Sequence, residues 1–153
     1  MSRADKAREL FKQGYACSQA VALAFCDLTS LSEEEIMKAT LPFGGGLGRL
    51  RLTCGAVSGM AMAVGLILSK AENTSENKLK TYEIVRQLCG EFEKEFGSLI
   101  CADLLTNAKV PAIVGGKPDA RDAEYYKKRP CDEIVFVATQ ILERYLIEQG
   151  VIK

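Results

Sequence analysis

Apolar residues recur every three to four positions along most of this chain, which is the period of an α-helix that buries one face. Serine followed three residues later by an acidic residue marks two helix starts, Ser2 with Asp5 and Ser32 with Glu35. No alternating strand pattern, internal repeat or linker interrupts the chain. We therefore predict one all-α domain over residues 1–153, a bundle of about six to seven helices with these approximate bounds: 2–14, 17–27, 32–42, 54–71, 74–97, 99–106 and 131–149.

The fourth predicted helix contains the most apolar run. Residues 56–68 are broken only by Ser58, and a membrane span needs roughly 20 apolar residues, so we expect a buried central helix and no membrane insertion. Gly55, Gly59 and Ala63 recur at four-residue spacing on one face. Glycine costs a helix about 1 kcal/mol relative to alanine. The pattern therefore indicates that another backbone or a buried group comes close to this face.

The charge balance excludes several classes of function. Lysine and arginine together number 20, as do aspartate and glutamate, so no net field attracts nucleic acid or an anionic membrane surface. The basic cluster Lys127, Lys128 and Arg129 is interpreted as a solvated face. No signal-peptide pattern opens the chain, so we expect a cytoplasmic protein. The apolar helix face with its small residues is compatible with a homodimer.

The chain has no histidine and six cysteines. Without histidine, the usual general base, the imidazole metal ligand and the c-type haem attachment motif are all excluded. Permanent disulfides are not expected in a cytosolic chain of this size. Cys89 lies in the apolar stripe of the fifth predicted helix and Cys26 lies beside Phe25, so both are interpreted as small core residues.

The other four cysteines each fall in the first turn of a predicted helix; they are Cys17, Cys54, Cys101 and Cys131. Free backbone N–H groups and the positive end of the helix dipole stabilise a thiolate there, which lowers its pKa and favours nucleophilic or metal-ligand chemistry. A bundle can gather four helix starts around one point, although several short helices also place cysteines there by chance. None forms a Cys-x-x-Cys pair, which argues against a zinc ribbon or a thioredoxin motif.

A glycine-rich stretch at residues 44–48 precedes the fourth helix. It lacks the Gly-Lys-Ser/Thr ending of a phosphate-binding P-loop. Glycine backbone N–H groups can instead wrap an anionic cluster or a thiolate, with Arg49 or Arg51 nearby. The glycines that would do so are Gly45, Gly46, Gly48 and Gly55. A plain flexible connector is the alternative interpretation.

The segment between the sixth and last helices is predicted to be mostly loop. Residues 107–118 contain two prolines and two glycines, and a loop of this length suits a lid or a partner surface. Ser98 is the expected cap of the sixth helix. Asp119 is the expected cap of a short polar turn that runs through Tyr126.

The hexapeptide at residues 54–59, Cys-Gly-Ala-Val-Ser-Gly, resembles the signature of a redox-active family with an early cysteine, a Cys-Gly-Ala-x-x-Gly motif and two later cysteines. The resemblance covers nearly the whole chain, because Cys17, the glycine-rich stretch, Cys101 and Cys131 follow the same order. It implies a redox role for these four cysteines. The chain is also similar to a domain of the split-Soret cytochromes c, where four cysteines are thought to hold an iron–sulfur centre.

Three functions stay open from the sequence. The favoured one is an iron–sulfur cluster on the four cysteines, working in electron transfer or redox sensing with a partner redox protein. The second is thiol–disulfide exchange, with Cys54 as the first choice of nucleophile and Cys17 as a second reactive cysteine. The third is a structural zinc site or a non-catalytic helical interaction module. Neither a substrate nor an electron partner is identified, so enzyme and electron carrier both remain possible.

Overall fold

The computed structural model describes residues 1–153 as a set of helices with connecting loops. The only strand-like pairing is an isolated antiparallel bridge between Thr53 and Ile100, so the all-α prediction is confirmed. Two short 3-10 turns follow the second and third helices. Apart from one short helical turn at Gly44–Leu47, which contains left-handed glycines, the eight α-helices are α1 (Arg3–Lys12), α2 (Cys17–Leu23), α3 (Glu33–Thr40), α4 (Gly55–Leu68), α5 (Ser75–Phe96), α6 (Cys101–Asn107), α7 (Ala123–Lys128) and α8 (Cys131–Glu148).

The centre of the fold is built from two helix pairs. Helix α1 packs along α8, helix α2 packs along α4, and α8 also contacts both α2 and α4. Fully burying a large apolar side chain stabilises the fold by about 1.5–3 kcal/mol. The largest fully buried side chains include Phe11, Phe25, Met60, Leu88, Phe92, Ile141 and Leu142.

Glycines in α4 allow α2 and α4 to approach each other closely. A Cβ atom on Gly59 would lie 2.6 Å from the backbone oxygen of Ser18, and one on Gly55 would lie 2.9 Å from the oxygen of Phe43. Real side chains do not tolerate contacts this short, so a residue larger than glycine would push the two segments apart. The spacing of small residues on this face therefore predicted the close approach correctly.

The helix ends confirm some sequence expectations and correct others. Both capping boxes, at Ser2 and Ser32, are present. Ser98 does not cap α6: Ile100 occupies the cap position, while the Ser98 hydroxyl accepts from the Ile100 N–H at 3.0 Å and donates to Asp103 at 2.7 Å. Helix α7 is capped by Asp122 and not by Asp119. The carboxylate of Asp119 is held by arginines instead.

Helix α5 is longer than the core that it covers. Leu88 and Phe92 are its buried residues, whereas Leu79 and Tyr82, which continue the same apolar stripe toward the start of the helix, are more than half exposed. The stripe is real, but the first part of the helix extends past the helices that would bury it. No helix in the structure is both long enough and apolar enough to span a membrane.

Candidate redox site

All four cysteines at helix starts line one cavity of about 320 Å³. Cys54 is buried, and Cys17, Cys101 and Cys131 are partly exposed. Cys26 and Cys89 lie outside the cavity; Cys89 packs against the main core, and Cys26 packs against the smaller core beside α3. The structure thus brings together the four cysteines that the sequence selected and separates the two that it set aside.

Each cavity cysteine is held by the start of its helix. Cys17, Cys101 and Cys131 are the first residues of α2, α6 and α8, and Cys54 is the N-cap of α4. The residue before Cys17 has no capping hydroxyl or carboxylate of its own. In its place the Gln19 side chain accepts from the Ala16 N–H at 2.9 Å, which closes the first turn below the sulfur.

Burial controls the thiol pKa values more strongly than helix position does. Burial raises the pKa of Cys17, raises that of Cys54 well above its ordinary value, and raises that of Cys131 to about 12. The backbone N–H of Gly45 opposes this at Cys17, and those of Ala56 and Val57 oppose it at Cys54. The expected lowering at helix starts is therefore wrong for these three thiols, because desolvation outweighs the N–H groups.

The glycine loop, defined as residues 44–48, lies against the cysteines. Gly45, Gly46 and Gly48 all have left-handed backbone conformations, with φ of 66°, 71° and 56°. A Cβ atom on Gly46 would lie 2.7 Å from the Cβ of Cys101. Gly45, Gly48 and Gly55 line the cavity, whereas Gly46 is buried behind it. Part of the loop therefore lies in the wall of the cavity, beside the cysteines.

Three backbone hydrogen bonds join residues 51–54, which follow the glycine loop, to residues 99–102 at the start of α6. The Cys54 N–H donates to Leu99 O at 2.8 Å, the Cys101 N–H donates to Leu52 O at 2.6 Å, and the Ala102 N–H donates to Arg51 O at 3.1 Å. These bonds lie next to the Thr53–Ile100 bridge. Cys54 and Cys101 are consequently fixed by the same short piece of pairing.

The charged groups of the cavity are mostly cationic. Its lining includes one carboxylate, Asp119, and the four arginines Arg49, Arg51, Arg121 and Arg129. Asp119 pairs with both Arg49 and Arg129. Arg51 and Arg121 form no ion pair with a carboxylate. An anionic group inside the cavity would therefore be favoured electrostatically.

The loop at residues 108–122 is tied over the cavity by arginines. Arg49 Nε donates to Gly115 O at 2.9 Å, and the Gly115 N–H donates back to Arg49 O at 2.9 Å. Arg121 donates to the carbonyls of Phe11 and Tyr15 at 3.1 and 3.2 Å, and its guanidinium stacks on the Phe11 ring. The loop is thus held over the cavity by these hydrogen bonds.

Sequence reasoning missed several residues of this cavity. Arg129 was interpreted as part of a solvated face, and Asp119 as a helix cap, yet the two form an ion pair beside the cysteines. Arg121 and Tyr125 also line the cavity, although no sequence pattern selected them. The signal that could have found them is weak: Arg121, Tyr125 and Arg129 recur at four-residue spacing just before Cys131.

No three His, Cys, Asp or Glu side chains lie close enough together to hold a single metal ion. The thiols are spread around the cavity wall. Tetrahedral zinc, with Zn–S bonds of about 2.3 Å, needs four sulfurs about 3.8 Å from each other. In a [4Fe–4S] cluster each cysteine binds a different iron, so the four sulfurs surround a volume, whereas a [2Fe–2S] cluster takes two cysteines on each iron. Four cysteine thiols around one cavity are the donor set that an iron–sulfur cluster requires.

Comparison with known proteins bears on the same residues. A family model described as "Putative redox-active protein (C_GCAxxG_C_C)" matches residues 15–145. The chain belongs to this family. All four cavity cysteines lie within the matched residues of the C_GCAxxG_C_C family, and the family name supports redox activity without naming a cofactor. No curated protein and no solved structure matches the chain.

Proposed function

We propose that Cys17, Cys54, Cys101 and Cys131 bind an iron–sulfur cluster and that the protein works in one-electron transfer or redox sensing. The observation that carries this proposal is the shared cavity: four thiols and a cationic lining surround one volume, while the other two cysteines lie elsewhere. A bound cluster would supply a site that gains and loses a single electron.

The electrostatics of the cavity support a metal-bound state of the thiols. Burial raises the pKa of Cys54 first, and the neighbouring Cys17 and Cys131 thiols raise it further, because several thiolates without a cation repel one another. A bound metal cation reverses this repulsion and keeps cysteine ligands deprotonated. The remaining negative charge would face the arginines of the lining.

The backbone of the site supports the same proposal. N–H groups of Gly45 and Ser18 face the Cys17 sulfur, and those of Ala56 and Val57 face the Cys54 sulfur. Hydrogen bonds to ligand sulfurs orient a metal site and tune its potential. The glycine at position 45 would serve this role through its backbone, as the anion-wrapping interpretation of the loop requires.

Thiol–disulfide exchange is the second candidate. It is favoured by the fact that all six cysteines are free and that Cys54 has two other thiols, Cys17 and Cys131, near enough to affect its pKa. The raised pKa of Cys54 counts against this residue as the attacking thiolate at neutral pH. Mild oxidation followed by mass mapping would detect a disulfide between cavity cysteines.

A serine substitution series tests the cluster proposal. Each cavity cysteine is replaced in turn by serine, and Cys26→Ser and Cys89→Ser serve as matched controls that remove a thiol outside the cavity. The variants are prepared without oxygen, and iron and acid-labile sulfide are measured with the visible spectrum. We expect every cavity variant to lose or weaken the cluster and both controls to keep it.

The same series separates the competing functions. Equal iron content in the cavity variants and the controls would refute the cluster proposal. Metal-free protein in which cavity cysteines pair on oxidation would support thiol–disulfide exchange instead. Stoichiometric zinc in anaerobic protein, lost in each cavity variant, would favour the structural zinc site.

A further inference from the structure

We infer that Arg51 sets the reduction potential of the cysteine site by donating a hydrogen bond and a fixed positive charge to Cys101. The inference rests on the proposed cluster function and assigns Arg51 as a positioning residue. This hydrogen bond distinguishes Cys101 from the other three cavity cysteines, because no side chain donates a hydrogen bond to the sulfurs of those three.

The guanidinium of Arg51 is held at two points. Its Nη1 lies 3.6 Å from Cys101 Sγ, and its Nε donates to Ile113 O at 3.0 Å. The residue is only 6% exposed, so little water competes for these donors. Two contacts on a planar, rigid group fix both its position and the direction of the N–H that points at sulfur.

The charge of Arg51 has no carboxylate partner within 4.0 Å, in contrast to Arg49 and Arg129, which share Asp119. A buried cation without an anion is unfavourable. Arg121 is satisfied differently, by two backbone carbonyls and by aromatic rings. Among the arginines of the cavity, Arg51 is therefore the one that donates a hydrogen bond to a cysteine sulfur.

The backbone places Arg51 independently of any ligand. Its φ of 61° is left-handed, which is uncommon for a residue other than glycine. The Arg51 N–H donates to Gly45 O at 3.1 Å, and its carbonyl accepts from Ala102 at 3.1 Å. Because these hydrogen bonds fix the Arg51 backbone, the side chain starts from a fixed position beside Cys101.

The electron balance gives the direction of the effect. Reduction transfers one electron from an external one-electron donor, such as dithionite, to the site, and no bond in the chain forms or breaks. The site becomes more negative by one charge. A fixed cation and an N–H donor at the Cys101 sulfur stabilise the more negative form, so Arg51 raises the reduction potential.

Three substitutions at Arg51 test this inference. Arg51→Gln removes the charge, and Arg51→Asn removes it with a residue that tolerates a left-handed backbone, which protects folding. Arg51→Lys keeps the charge but loses the planar fork. Arg86→Gln, on the exposed part of α5, removes an arginine outside the cavity as the control.

The measurement is a dithionite redox titration of the anaerobically prepared, iron-loaded proteins, followed by visible absorption and electron paramagnetic resonance. We expect Arg51→Gln and Arg51→Asn to have a lower potential than the wild type, Arg51→Lys to have a smaller downward shift, and Arg86→Gln to be unchanged. A merely structural role of Arg51 would not move the potential of protein that is fully loaded.

The outcomes are distinguishable. Loaded Arg51 variants with the wild-type potential would overturn this inference and leave the proposed function standing. Failure of all three variants to load, with native circular dichroism, would assign Arg51 to assembly and would also overturn it. Wild-type protein that takes up no iron would overturn the proposed function, and this inference with it.

Discussion

Gly55 lies directly against Cys17, so that a Cβ atom at position 55 would stand 2.5 Å from the Cys17 sulfur. This close contact explains why the Cys-Gly-Ala-x-x-Gly segment needs a glycine at position 55. It allows the start of α4, with Cys54, to approach the start of α2 closely enough for two cysteines to share a cavity.

Replacing Gly55 by alanine therefore tests how closely the two helix starts must approach. The new methyl group would meet the Cys17 sulfur and the Phe43 backbone, and overpacking of this kind costs about 1–3 kcal/mol. We expect lower stability in urea unfolding together with reduced iron loading. Gly65→Ala is the matched control in the same helix. No atom lies within 4 Å of its Cβ position, so it should stabilise the helix by up to about 1 kcal/mol.

The glycine loop offers a second matched pair. Gly46 and Gly48 are both left-handed, but an alanine Cβ at position 46 would meet the Cβ of Cys101 at 2.7 Å, whereas position 48 is open. Gly48→Ala should cost only the backbone strain, about 1–2 kcal/mol. Gly46→Ala should cost more and should reduce iron binding. Equal stability and equal iron content in the two variants would show that the loop does not brace Cys101.

Asp119 should control access to the cysteines. It pairs with both Arg49 and Arg129, which also line the cavity. We expect Asp119→Asn to loosen the cover and to raise, severalfold, the rate at which a disulfide thiol reagent labels the metal-free protein. Glu148→Gln, an exposed substitution at the end of α8, is the control. An unchanged labelling rate would mean that the arginine ties to backbone carbonyls hold the cover without Asp119.

The pair Arg3 and Asp27 should make stability depend on acid pH. Two hydrogen bonds of 2.5 and 2.9 Å join them, and the Arg3 hydrogen bond lowers the pKa of Asp27 below its ordinary value. A carboxyl whose pKa is lower when folded stabilises the protein above the unfolded pKa of about 3.9 and stops doing so as pH falls through the folded value. Because Asp27 is largely exposed, Asp27→Asn should cost about 0.2–1 kcal/mol near neutral pH.

Urea unfolding of the wild type and of Asp27→Asn, at neutral pH and at a series of acid pH values, checks this expectation. The difference in unfolding free energy should shrink as pH falls through the folded pKa of Asp27, because the wild-type carboxyl then takes up a proton and loses its charge. A difference that persists in acid would assign the effect to packing and not to charge.

Much of the fold follows from local sequence. The capping boxes at Ser2 and Ser32 and the glycine that ends α5 at position 97 each act within a few residues, so their signals are legible in one short segment. The small residues at Gly55 and Gly59 predicted a close approach, although not the partner, which is the start of α2. The exposed Leu79 and Tyr82 show the limit of periodicity: it predicts which face of a helix is apolar, but not whether another helix packs on that face.

In the candidate site, too, the sequence predicted the local features but not those that depend on distant contacts. Helix starts selected the four cysteines, because the first turn of a helix is a local feature. Their pKa directions were wrong for Cys17, Cys54 and Cys131, since desolvation depends on everything packed around a thiol. The ties of Asp119 to Arg49 and Arg129 join three segments of chain, and no local pattern encodes such a contact.

The most direct test of the central claim is the composition of the wild-type protein purified without oxygen. Iron, acid-labile sulfide and zinc are measured together with the visible spectrum. We expect a brown protein with iron and sulfide in near-equal amounts, and loss of both in Cys54→Ser but not in Cys89→Ser. A colourless wild-type protein without iron or sulfide, even after anaerobic reconstitution, would contradict the proposal that these four cysteines hold a cluster.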